Sequence, residues 1–166
     1  MKGKEKVVSH LNDVLRSELI AISQYFLHAE MQEAWGYGKL GAFIKKQSID
    51  EMKHAERVIE RILFLEGTPG IGMKLPLKTG ANVKAQLEND LSLEHQAFAH
   101  YNAVIKACVE EGDNTSADLV RTLLGDESGI AVPLFGFNVG LEFGQVVIVT
   151  LLFGLGVVVE RVLHWV

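Results

Sequence analysis

The sequence predicts an all-α protein in which four helices pack as a bundle around one core. Apolar residues recur at alternating steps of three and four through the first 130 residues, which is typical of helices with one buried face. A connection rich in proline and glycine separates the second and third predicted helices and is longer than antiparallel neighbours need, as in bundles with a crossover. With 166 residues, 48% of them hydrophobic, the chain is long enough for one domain with a substantial core.

The first predicted helix has one seam of inward-facing residues, which a single acidic residue, Glu18, interrupts. The loop WGYG, residues 35–38, ends this helix. The members of the seam are Val8, Leu11, Leu15, Glu18, Ile22, Tyr25 and Ala29.

The second predicted helix has a longer seam, interrupted by polar residues at its centre. Gly67 is placed to end this helix, since glycine readily adopts the backbone conformation that follows a last helical turn. The seam consists of Leu40, Ile44, Gln47, Glu51, His54, Val58, Ile62 and Leu65.

The crossover runs from Thr68 to about Asn82 and contains Pro69 and Pro76. The third predicted helix then carries a seam formed by Val83, Leu87, Asp90, Glu94, Ala97, Tyr101, Val104 and Cys108. After EGDNTS, where Asn114 or Ser116 is a suitable cap, a fourth helix begins. Its inner face is predicted to carry Val120, Leu123 and Glu127.

The composition changes sharply after residue 130. Residues 131–166 contain only three charged side chains, Glu142, Glu160 and Arg161. We therefore divide the chain into a helical bundle, residues 1–129, which includes the start of the fourth helix, and a hydrophobic C-terminal segment, residues 130–166. This segment stands in place of a charged, amphipathic continuation of the fourth helix. Within it, the 17 residues from 143 to 159 are uncharged.

Two structures are compatible with this hydrophobic segment. An uncharged run of about 17 to 25 residues has the length of a membrane span, and glycines four residues apart, at 136, 140 and 144, permit close helix packing in lipid. Pro133 would interrupt a helix that began at Ser116. Membrane contact through residues 131–159 and burial as a very hydrophobic fourth helix both remain open.

Charge and cysteine content exclude several classes of function and location. The net charge of -5 comes without a basic block, which argues against a nucleic-acid partner. The single Cys108 cannot form an intrachain disulfide, and the start MKGKEKVVSHLNDVL lacks the features of a signal peptide. We expect a cytoplasmic location for the N-terminal part.

Each of the four predicted helices carries a glutamate in its apolar seam: Glu18, Glu51, Glu94 and Glu127. A buried carboxylate is costly unless it shares a proton or binds a cation, so four converging carboxylates indicate a metal site. His54 stands three residues after Glu51 and faces the same side of the helix. Such a pair alone is usually a solvated surface pair, and Glu127 beside Asp126 has an alternative role in stabilising a helix start.

Four stretches of the sequence resemble bacterioferritin, the haem-containing branch of the ferritin family: LNDVLRSELIAISQYFLHAE, SIDEMKHAERVIERILFLEG, LENDLSLEHQAFAHYNAVI and LLGDESG. The resemblance covers about residues 1–129. It implies a ferritin-like four-helix bundle, a hollow shell of 24 subunits built from twofold dimers, and a di-iron centre that oxidises Fe(II) with O₂ or peroxide for storage as ferric mineral.

The same resemblance assigns roles to individual residues. The iron ligands, which are also the catalytic residues, would be Glu18, Glu51, His54, Glu94 and Glu127. Tyr25 matches a tyrosine near that centre, and Asp50 matches an acid of the inner-surface region. Met52 matches the methionine that binds haem b at a twofold interface, one from each partner, and it lies on a second apolar stripe with Ile49, Ile59 and Leu63.

The sequence departs from this pattern at residue 130, where isoleucine replaces the histidine of a second Glu-x-x-His pair. One iron site then lacks its nitrogen ligand, and oxidation would be slowed or lost. His95 turns about 100° away from Glu94, and His100 lies nearly two turns along, so neither is a simple substitute.

Three functions follow from these observations. The first is an iron-storage ferroxidase subunit, in a shell of its own copies or mixed with other ferritin subunits. The second is a non-catalytic haem-binding or structural subunit, favoured by Ile130. The third is a membrane-anchored metal-handling fusion, since FGFNVGLEFGQ weakly resembles a membrane family of hydrogenase and urease accessory proteins. We favour the first, because it accounts for most of the chain.

Overall fold

Four helices form the described part of the protein. A computed structural model describes residues 2–72 and 76–126, together with residues 136 and 140. The helices are α1 (Glu5–Ala34), α2 (Gly38–Phe64) and α3 (Val83–Glu110), followed by α4, of which residues 114–126 are described. No strand occurs in these ranges. The predicted all-α fold is confirmed.

Several predictions concern residues beyond this description. Glu127, Ile130 and Pro133 lie outside the described residues, and so does the uncharged run 143–159. Among the helices that are described, none is both long and apolar enough to cross a membrane.

The helices α1 and α2 pack against each other as a hairpin. As predicted, the loop WGYG connects them, with Gly36 at φ 89° and the Tyr37 backbone N–H donating to the Gln32 carbonyl at 2.9 Å. A Cβ added at Gly41 would lie 2.9 Å from the Ala29 carbonyl oxygen. Glycine at position 41 therefore lets the two backbones approach.

The end of α2 differs in detail from the prediction. The residue with a left-handed backbone is Glu66, at φ 59°, and not Gly67, whose N–H donates to the Ile62 carbonyl at 2.9 Å. A Cβ at Gly67 would lie 2.6 Å from a Val8 methyl group. Gly67 is therefore required for packing against α1, while Glu66 makes the turn.

The N-terminal cap of α4 is Asp113, so the predicted caps Asn114 and Ser116 are wrong. The Ser116 N–H donates to Asp113 Oδ1 at 3.0 Å, which is the usual geometry of an N-cap. Arg61 of α2 donates to Ser116 Oγ and to Asp113 Oδ1, each at 2.8 Å. The cap thus also joins α4 to α2.

The core consists of two apolar clusters with the predicted glutamates between them along the helices. Most predicted seam residues are buried, while Val8, Ile22, Leu40, Val83 and Ala97 are half-buried. The larger cluster includes Leu11, Leu15, Val58, Ile62, Tyr101, Val104, Cys108, Val120 and Leu123. The smaller cluster contains Tyr25, Ala29, Ile44 and Leu87. Glu18, Glu51 and Glu94 each fall between the members of the two clusters on their own helix.

Candidate metal centre

Three of the four predicted glutamates lie in the bundle interior. Glu18, Glu51 and Glu94 are exposed by only 1%, 1% and 4%, and His54 by 5%. Each occupies an inward-facing seam position of its helix, so the fold itself carries these polar groups inward. Burial of this kind requires partners that compensate the loss of water.

Glu18, Glu51 and His54 form a compact group of potential metal ligands. One ligand atom from each lies within 4.8 Å of the others. The His54 Nδ1 atom is 3.0 Å from Glu51 Oε2 and 3.8 Å from Glu18 Oε2. Because residues three apart share one side of a helix, Glu51 and His54 reach the same point from α2. Carboxylate oxygens together with an imidazole nitrogen are a suitable donor set for iron.

Two tyrosines hold the carboxylates in place. The Tyr101 hydroxyl donates to Glu18 Oε1 at 2.6 Å, and the Tyr25 hydroxyl donates to Glu94 Oε1. Burial and the adjacent Glu94 carboxylate raise the pKa of Tyr25 well above its ordinary value, which keeps the phenol protonated as a donor. From the sequence, Tyr101 was predicted only as a core residue. Its position on the same seam, seven residues after Glu94, could have indicated that it lies near the carboxylates.

Glu94 faces the centre from α3 across a cavity. This cavity lies between α1 and α3, has a volume of about 270 Å³, and is lined by Glu18, Glu94, Tyr25 and Tyr101 among other residues. Glu94 is not part of the compact three-residue group. The structure therefore brings three of the five predicted ligands together. A fourth, Glu94, lines a cavity that Glu18 also lines, and Glu127 lies outside the described residues.

The described end of α4 also reaches the centre, through Asp126. Its Oδ2 atom is 3.5 Å from His54 Nε2 and accepts a hydrogen bond from Arg57 at 3.0 Å. The Asp126 side chain is 50% exposed, so it lies at the edge of the centre. The sequence analysis had considered this residue only as a neighbour of Glu127.

Met52 faces away from the bundle interior, as predicted, and is 55% exposed. Ile49 and Leu63 of the predicted stripe are 49% and 57% exposed, whereas Ile59 is partly buried against the larger apolar cluster. Asp50 lies on the surface of α2, where Lys46 and Lys53 each contact it at 2.7 Å. Hydrogen bonds from these two lysines lower the pKa of Asp50.

A second buried polar group fixes the crossover to the bundle. His28 Nδ1 lies 2.8 Å from Asp90 Oδ1, and Gln24 donates to the same oxygen at 2.9 Å. The other ring nitrogen of His28 is 2.9 Å from the Lys78 carbonyl oxygen. From the sequence, Asp90 was predicted only to lie on the seam of α3. In the structure, Asp90 contacts His28 and Gln24 of α1, and His28 contacts the crossover at Lys78.

Comparisons with known proteins identify the family of the chain. The Ferritin-like domain family matches residues 8–130, which is most of the chain. The chain belongs to the ferritin family. That family stores iron, and iron storage is therefore the general function of the chain.

The individual relatives are bacterioferritins. The chain is 45% identical over 129 residues to Bacterioferritin of Rhodobacter capsulatus, covering 78% of this chain and 80% of that protein. It is 44% identical, with the same coverage, to Bacterioferritin of Brucella melitensis. Among solved structures, that of a mycobacterial bacterioferritin matches with a TM-score of 0.80 and 38% identity over 82% of this chain and 84% of that chain.

Proposed function

We propose that this chain is a ferroxidase subunit, which oxidises Fe(II) with O₂ or peroxide and passes the product on for storage as ferric mineral. The observation that carries the proposal is the compact, buried group of Glu18, Glu51 and His54 on two adjacent helices. Glu94 of α3 and Glu127, which lies outside the described residues, complete the proposed ligand set.

The chemistry of this centre follows from buried negative charge. Carboxylates in a water-poor interior attract a divalent cation and stabilise the more highly charged Fe(III) further. Lowering the energy of Fe(III) relative to Fe(II) favours electron transfer to O₂ or peroxide. Tyr25 and Tyr101 contribute by orienting the carboxylates of Glu94 and Glu18 through hydrogen bonds.

Stopped-flow measurement of Fe(II) oxidation in the Glu51→Ala variant tests the proposal. Rapid oxidation should be lost, because the variant lacks a central ligand on α2. Glu56→Ala is the matched control, since Glu56 lies on the exposed side of the same helix. Oxidation by Glu51→Ala at the wild-type rate would show that the centre lies elsewhere.

We further propose that Met52 binds haem b at a twofold interface between subunits, within a shell of 24 subunits in the cytoplasm. The exposed apolar stripe of Ile49, Met52 and Leu63 supports this proposal, because exposed apolar stripes are typical of interfaces. A pair of thioether sulfurs, one from each subunit, suits an electron-transfer haem. Bound haem would transfer electrons to or from the stored iron.

A second candidate function is a non-catalytic haem-binding or structural subunit. The observation that favours it is Ile130, which leaves the chain without the second Glu-x-x-His pair. Loss of an imidazole ligand weakens and opens a metal site. The Fe(II) oxidation rate of the wild-type chain separates the two functions.

A further inference from the structure

The cavity between α1 and α3 contains a histidine to which the proposed centre assigns no role. His100 lines the cavity together with Ser17 and Gln96, alongside the carboxylates Glu18 and Glu94. A water molecule occupies about 30 Å³ in the liquid, so a cavity of about 270 Å³ has room for a partly hydrated cation.

The His100 imidazole has an unused buried nitrogen. Its Nε2 atom is inaccessible to solvent and finds no hydrogen-bond partner within the described ranges 2–72 and 76–126. Leaving a buried polar atom without a partner reduces stability, so such an atom needs an explanation. His54, in contrast, has Nδ1 at 3.0 Å from Glu51 Oε2.

The surroundings of His100 suit metal binding. Burial lowers the pKa of His100, the nearby Asp13 carboxylate partly opposes this effect, and His10 adds to it. The imidazole is therefore neutral near pH 7, which is the form that binds metals. The next residue of α3, Tyr101, donates a hydrogen bond to Glu18. His100 is therefore adjacent in sequence to a residue that contacts a proposed iron ligand.

We propose that His100 binds Fe(II) on its path through this cavity to Glu18 and Glu94. This inference rests on the proposed ferroxidase centre and adds an access site to it. His100 does not replace the missing histidine at position 130; its ring turns so that Nε2, which is closed to solvent in this structure, reaches the divalent cation in the cavity. The ligand class is a divalent first-row transition metal, since imidazole nitrogen suits Fe(II), Co(II) and Zn(II).

Co(II) uptake tests the access role without requiring oxidation. Stopped-flow absorbance of Co(II) binding is compared for wild type, His100→Ala and His95→Ala, since His95 is an exposed histidine next to Glu94. His100→Ala should slow uptake at least about tenfold, by analogy with losses on altering metal-site residues, and reach the same final absorbance. His95→Ala should match wild type. Uptake by His100→Ala at the wild-type rate would overturn the proposal.

The Glu51→Ala variant, measured in the same experiment, distinguishes the proposed access role of His100 from the proposed ferroxidase centre. Loss of the final Co(II) absorbance in Glu51→Ala supports the centre, whatever the rate in His100→Ala. Full absorbance in Glu51→Ala contradicts the centre. A wild-type chain that takes up no Co(II) contradicts both.

A wild-type crystal soaked in Zn(II) provides a second test that does not depend on folding of a variant. An anomalous peak at coordination distance from His100 Nε2 supports the proposal. Zn(II) bound at Glu18, Glu51 and His54 without a peak at His100 overturns it.

Discussion

At the scale of single residues, the centre depends on groups that the bundle buries in place of apolar side chains. Glu18, Glu51 and Glu94 replace core residues between two apolar clusters, so each reduces stability unless it has a partner. Tyr25 and Tyr101 supply hydrogen bonds from the same core. The tyrosines should therefore matter to stability as well as to ligand geometry.

Tyr101→Phe should destabilise the metal-free protein by about 1–3 kcal/mol, because it leaves Glu18 Oε1 without this hydrogen bond in the interior. Tyr37→Phe is the control, since the Tyr37 side chain is exposed. Urea unfolding of the metal-free proteins measures the free energy of unfolding of both variants. Equal midpoints for Tyr101→Phe and wild type would show that the bond contributes nothing.

The ligand residues were predictable to different degrees. Seam spacing located Glu18, Glu51, His54 and Glu94, because buried positions on a helix follow its period. Asp126 and His100 could not be predicted as neighbours of the centre, because their contacts depend on how α4 and α3 pack across the bundle. The missing imidazole at position 130 could be read directly from the sequence.

At the scale of elements, helix limits depend on local contacts that apolar spacing does not encode. Glu66 rather than Gly67 takes the left-handed conformation after α2, because Gly67 is needed where Val8 approaches. Asp113 caps α4 because it also receives a hydrogen bond from Arg61 of α2. These choices follow from packing between helices.

The cap of α4 should make stability depend on pH. Although burial raises it, hydrogen bonds from Ser116 and the Arg61 charge bring the pKa of Asp113 below its ordinary value of 3.8. A lowered folded-state pKa contributes stability above the unfolded value, and this contribution is lost as pH falls through the folded value. Asp113→Ala should therefore be less stable than wild type at neutral pH, and the difference should shrink below about pH 3.8.

Thermal unfolding from pH 7 to pH 3 measures this difference. Asp118→Ala is the control, because Asp118 lies one turn further along α4 and its side chain is exposed. A destabilisation by Asp113→Ala that stays constant down to the lowest pH would contradict the charged cap.

At the scale of the whole molecule, α2 carries both ligands of the buried centre and an exposed apolar stripe that faces away from the bundle interior. The two sites share a helix but no residue, so each should respond to its own substitutions. We propose that residues 1–129 form the bundle and that residues 130–166 form a distinct hydrophobic segment.

Met52→Leu should abolish haem absorbance while Fe(II) oxidation continues, because leucine keeps the apolar stripe but lacks the sulfur ligand. Met31→Leu is the control, since Met31 lies on α1, away from the apolar stripe of α2, and its sulfur accepts a hydrogen bond from Gln86. Absorption spectra of the purified proteins measure haem content. Haem bound equally by Met52→Leu and wild type would contradict the assignment.

We propose that the hydrophobic segment, residues 130–166, decides whether the chain assembles as a soluble shell. We expect the chain, purified without detergent, to sediment as one large particle with haem absorbance, since the bundle needs the segment to cover its core. Sedimentation velocity at protein and haem wavelengths measures this. Recovery only in the membrane pellet would favour the membrane-anchored fusion.

We propose that Glu18, Glu51 and His54 bind the iron that the protein oxidises. An anomalous difference map at the iron edge, from crystals soaked in Fe(II) without oxygen, tests this most directly. We expect iron at coordination distance from these three side chains, together with Glu94 of the same subunit. Iron bound elsewhere on the protein, with this group left without metal, would contradict it.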